Sequence, residues 1–164
     1  MDNSESILRV VDHLYDRGHR SFGFCGFRPG LSWSRLRLGA FMQSIHEKGL
    51  ELKQENILNA ADAQHVIKAR EQGVTAWVCS VDRIAYKMVR ELTDLGIKVP
   101  QDIAITGFDA VPPLLNCPQI TTVKPPLLQM GSAALYQLLT RLENPQNPPL
   151  TSLFPCEIIE GSSS

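Results

Sequence analysis

Short apolar runs alternate along this chain with longer stretches whose apolar residues recur every three to four positions, and nothing else in the sequence constrains the fold as tightly. Strand-type runs occupy residues 21–26, 75–80 and 102–107, with weaker ones at 55–58, 120–123 and 152–159. Helical spacing links Ile7, Leu8, Val11, Leu14 and Tyr15, then Leu38, Phe41, Met42 and Ile45, then Val66, Ala69 and Arg70. Ala85, Met88, Val89 and Leu92 make a fourth helical face. Leu128, Ala134, Leu135, Leu138 and Leu142 make a fifth, running from about 125 to 142, and all five faces are expected in a core. Gly18, Gly49, Gly73 and Gly96 stand where helices should stop, and Asp62 and Asp82 where helices should start, each as a cap. Strands separated by helices of this length belong in a parallel sheet covered on both faces. The expected fold class is therefore α/β, with Pro155 placing the last run at an edge or a bulge.

At 164 residues the chain fits one domain with a real core. Sixteen Lys and Arg against seventeen Asp and Glu leave a net charge of −1. A DNA-reading module carries a basic excess that neutralises phosphates, so this chain is not expected to bind DNA by itself. No apolar run approaches the roughly 18 residues of a membrane span. The start, Met1-Asp2-Asn3-Ser4-Glu5, is acidic and does not read as a secretory signal. Cys25, Cys79, Cys117 and Cys156 form no C-x-x-C and have no histidine nearby. Reduced, mostly buried thiols are expected, with no metal site and a cytoplasmic location.

Ligands of open parallel sheets gather at the carboxyl ends of the strands. That rule selects residues 26–37, 80–83 and 108–112. The first segment carries Arg28, Trp33, Ser34, Arg35 and Arg37 at a helix start. Arginine forks there suit a carboxylate, a phosphate or paired hydroxyls, and an indole face suits a sugar ring. The same arginines also suit a solvated helix surface. Asp82 reads mainly as a helix cap. Asp109 has no helix after it to cap, so a ligand-facing acceptor and a local turn role stand level. No nucleophile elbow, phosphate loop or dinucleotide fingerprint is present. His13, His19, His46 and His65 are isolated from one another. They read as structural, with His19 partly cationic beyond a helix end. No enzyme activity and no cofactor are expected.

Six ordered phrases resemble the lactose-repressor (LacI/GalR) family of bacterial transcription regulators. They are DHLYDRGHR at 12–20, SRLRL at 34–38, TAWVC at 75–79, DRIA at 82–85, VPQDIAITGFD at 99–109, and TTVK with Met130-Gly131. The resemblance implies a lobe of the type I periplasmic-binding-protein kind, with a small polar effector, a sugar or sugar derivative, in a cleft between two lobes. It makes Arg37 the guanidinium clamp and Asp109 the carboxylate acceptor, with Trp33, Ser34 and Arg35 lining the same wall. Val81 stands where sugar-responsive members carry Asn, which argues against a simple galactoside. The resemblance assigns residues 19–124 and 152–162 to the carboxyl-terminal lobe of a partial effector domain. Residues 4–17 and 125–143 are assigned to an amino-terminal lobe that is missing, as is the DNA-binding head. Helices at 4–17 and 125–143 would then expose apolar faces and pack on each other, on the lobe or on a second chain.

The same resemblance implies a homodimer, with contacts from Tyr86, Val89 and Arg90 and from Leu114 and Leu115, and operator DNA reached only through the absent head. The effector would bias the dimer toward or away from its operator. The competing reading is a solute-binding protein for sugar transport, which shares the fold but requires export. An enzyme on a similar sheet would need an acid/base pair beside Asp109, and the sequence offers no partner for one.

Overall fold

The computed structural model describes residues 1–113, 115 and 117–164. Its elements, in chain order, are α1 (Asn3–Asp16), β1 (Phe22–Cys25), α2 (Ser32–Glu47), β2 (Ile57–Leu58), α3 (Ala63–Glu71), β3 (Ala76–Cys79), α4 (Asp82–Asp94), β4 (Ala104–Phe108), β5 (Thr121–Lys124), α5 (Leu127–Glu143) and β6 (Glu157–Ile159). The strands form one sheet in the order β2-β1-β3-β4-β5-β6. β1 to β5 pair in parallel, and β6 closes the edge antiparallel to β5.

Alternation within the strands builds two cores. Phe22, Phe24, Ala76, Val78, Ala104, Phe108 and Val123 point to one face, where Ile7, Val10, Val11 and Leu14 of α1 and Leu38, Phe41 and Ile45 of α2 cover them. Cys25, Trp77, Cys79 and Ile105 point to the other, under Val66 and Ala69 of α3 and Ala85, Met88, Val89 and Leu92 of α4. Trp77, the largest buried side chain, lies against Gly23 of the neighbouring strand. A Cβ on Gly23 would stand 2.6 Å from the indole ring, so only glycine leaves it room. Asp62 caps α3 by accepting from the His65 amide at 3.0 Å, as its position predicts.

Four expectations change. β6 spans only Glu157–Ile159, because Pro155 withholds a ladder donor just before it. Residues 54–56 form a 3₁₀ turn, which leaves β2 two residues long. Met42 is exposed although it shares the α2 spacing with buried Phe41 and Ile45. The largest change concerns α5, where no residue is buried and Leu128, Leu135, Leu138 and Leu142 all face solvent. By contrast, α1 buries its apolar stripe in the first core.

Candidate functional site

Because β1 sits between β2 and β3, chain direction across the sheet reverses at the β1/β3 boundary. The connections leaving those two strands therefore diverge and open a crevice at their carboxyl ends. Arg37, on the second turn of α2, reaches into this crevice and is only 2 % exposed. Its Nη1 donates to the carbonyl oxygen of Ser80, the first residue past β3. Its Nε donates to Asn3 Oδ1 at 2.9 Å, a contact available because α1 packs along α2. The guanidinium carbon lies 3.3 Å from the centroid of the Phe108 ring and 4.9 Å from that of Trp33. Arg37 thus lies against two aromatic faces, Phe108 the nearer. Its Nη2 faces Asp109 Oδ1 at 3.8 Å, an ion pair too long to be a direct hydrogen bond.

Asp109 follows β4 directly, and its carboxylate is more than a third exposed. Its backbone is unusual: φ is 112° at Asp109 and 52° at Ala110, both in the region that disfavours a Cβ. The Asp109 amide is anchored on the Val123 carbonyl at 2.9 Å. Burial pulls the Arg37 pKa down to about 10, opposed by Asp109, so the guanidinium stays cationic at neutral pH. Burial also raises the Asp109 carboxyl, and Arg37 opposes that rise. Beside Asp109, a concavity of about 650 Å³ is lined by Lys124, Gln129 and Glu157 among apolar neighbours. A second concavity of about 620 Å³, around residues 58–64 with Glu91 and Asp94, has no cationic side chain in its lining.

The structure brings together Arg37, Asp109 and Trp33, but it gives Ser34 and Arg35 other work. Ser34 is fully buried and its Oγ accepts from the Arg28 amide at 2.8 Å, bracing the loop after β1. Arg35 is exposed and donates to the Pro29 carbonyl at 2.7 Å. Asp82 is not the cap of α4. The N-cap is Val81, without a side-chain hydrogen bond, while the Asp82 carboxylate is buried and accepts from the Val111 amide at 2.7 Å and from Thr122 Oγ1 at 2.6 Å. Asn3 and Phe108 complete the Arg37 cradle. Asn3 carries no local signal in the sequence, whereas Phe108 adjoins Asp109 in the same motif. Of the residues expected at a dimer contact, Tyr86 and Val89 are 2 % and 1 % exposed within their own core, so they present no surface to a partner. Arg90 and Leu115 are exposed, and Leu114 lies outside the described residues. His19, expected to be partly cationic beyond a helix end, lies where its surroundings disfavour the charge. Burial lowers its pKa, and Arg17 and Arg20 lower it further.

The periplasmic binding protein-like domain model matches residues 11–164. The transcriptional repressor CytR of Escherichia coli K12 is 26 % identical over 172 residues, covering 99 % of this chain and 50 % of CytR. A sugar-binding LacI-family transcriptional regulator from Escherichia coli, solved with phosphate, superposes with a TM-score of 0.84 at 21 % identity, over 99 % of this chain and 61 % of that one. The complex of the transcriptional regulator CelR with cellobiose gives 0.86 at 19 % identity, over 100 % and 53 %. The chain therefore spans about half the length of the curated relatives it matches. Among the described residues no helix is long and apolar enough to cross a membrane. The chain belongs to the periplasmic binding protein-like domain family and is homologous to the LacI-family transcriptional repressors.

Proposed function

We propose that this chain is the effector-sensing lobe of a bacterial transcription regulator, and that Arg37 and Asp109 grip a small polyhydroxylated ligand, a sugar or sugar derivative. The observation that carries the reading is the 3.8 Å separation of Arg37 Nη2 and Asp109 Oδ1 at the mouth of the crevice. A cation and a carboxylate at that spacing can share one hydroxyl, which accepts from the first and donates to the second. Trp33, beside the guanidinium, offers an apolar face for a sugar ring. Relatives that are regulators, one solved with cellobiose, favour this reading over a transport protein.

In the same reading, residues 125–143 belong against a second lobe, whose apolar surface would cover the leucines of α5. Residues 4–17, which the resemblance assigns to the other lobe, pack here on the present one, where α1 is part of the core. Arg90 and Leu115 remain the candidates for a contact between two copies. DNA would be read by a separate head, in the cytoplasm, with occupancy set by the effector.

The test is a melting screen of the chain against cellobiose, other sugars, sugar phosphates, inorganic phosphate, nucleosides and amino acids. A compound at 100 times its Kd adds about 2.7 kcal/mol to the unfolding free energy. One sugar class is expected to raise Tm, and Arg37→Ala is expected to abolish the rise. A screen with no rise, or a rise untouched by Arg37→Ala, contradicts the proposal.

A further inference from the structure

We infer that Asp82 is a positioning residue: through Val111 and Thr122 it holds Asp109 and Ala110 in their left-handed path and thereby sets where Asp109 faces Arg37. The carboxylate is wholly buried and faces the loop from the start of α4. Its Oδ2 accepts the Val111 amide at 2.7 Å, and its Oδ1 accepts the Thr122 hydroxyl at 2.6 Å. Thr122 Oγ1 in turn accepts the Ala110 amide at 3.3 Å. Two consecutive non-glycine residues at φ 112° and 52° persist only where the surroundings over-determine them, and these bonds do so from both sides. Space for the carboxylate is made by Gly107 on β4, where a Cβ would collide with Asp82 Oδ1 and stand 3.2 Å from its Cα. A helix cap would require none of this, because a cap bonds amides of its own first turn.

The consequence for ligand binding rests on the sensor reading above, whereas the hold on the loop does not. Amide hydrogen exchange on the whole chain, without any ligand, therefore separates the two. In Asp82→Ala the Val111 amide, and the Ala110 amide held through Thr122, are expected to exchange on the order of 10- to 100-fold faster, the scale of a lost bond to a buried charged acceptor. The amides of β3, which open only with the whole lobe, are expected to keep their wild-type rates. Asp82→Asn retains an acceptor of the same shape and is expected to restore most of the protection. If Asp82→Ala does not fold, Thr122→Val removes the hydroxyl alone and is expected to accelerate the same amides. Unchanged protection at Ala110 and Val111 in Asp82→Ala, or in Thr122→Val where it stands in for it, or an equal loss there and in β3, overturns the inference. A melting screen that finds no ligand leaves this result standing.

Discussion

Helices α1 and α5 carry the same kind of message in sequence and end in opposite surroundings. Both have apolar residues at helical spacing. α1 buries Ile7, Val10, Val11 and Leu14 against α2 and the sheet, whereas α5 leaves Leu128, Leu135, Leu138 and Leu142 in solvent. Periodicity therefore states that a helix has a face to bury and says nothing of what buries it. For α1 the partner lies within the chain. For α5 none is among the described residues, and in the proposed reading a second lobe covers its leucines.

The largest effect expected from this contrast is in the cost of truncation. Leu14→Ala removes a fully buried side chain and should lower the unfolding free energy by about 2–5 kcal/mol in a urea titration. Leu138→Ala, on a side chain that is 57 % exposed, should change it by less than about 0.5 kcal/mol. Equal costs would mean that α5 packs in solution as α1 does, and the comparison would fail.

A smaller effect sharpens it. α1 carries His13, nearly buried, with Nε2 at 3.0 Å from Ser164 Oγ, while α5 has no histidine. Burial lowers the His13 pKa below its usual 6.5. Arg17 and His19 lower it further, against the opposing carboxylates of Glu160 and Asp16. The unfolded chain then takes up a proton more readily than the folded one, so stability should fall as pH drops below about 6.5 and level off beneath the lowered folded value. His19 contributes with the same sign. His13→Gln should flatten this dependence in denaturation curves between pH 7.5 and 5, values on the order of one unit either side of the histidine range. A wild-type and a variant with the same slope would show that His13 titrates normally.

The fold was largely legible because its signals are local or periodic. Gly23 and Trp77 fall inside plain strand runs, and Asp62 caps where a cap was expected. The site was legible only in part. Arg37 and Asp109 follow from the rule about strand ends together with the family motifs, but they lie far apart in sequence and only the β1/β3 crevice unites them. Asp82 was misread because a carboxylate at the start of a helix looks the same whether it bonds the helix or a loop across the sheet. That distinction depends on the absent Cβ of Gly107 and on Thr122. Asn3 was missed because its role comes from the packing of α1 on α2.

In the proposed reading the carboxylates of Asp82 and Asp109 divide the labour of the crevice, the first buried and holding the loop, the second more than a third exposed and offered to a ligand. The most direct test of that division is Asp109→Asn, which keeps the shape and removes the charge, titrated calorimetrically with the compound that gives the largest melting shift. Unliganded stability is expected to stay within about 0.5 kcal/mol of wild type, and affinity to fall on the order of 10- to 100-fold. Wild-type affinity in Asp109→Asn would contradict the division and move the site away from Arg37.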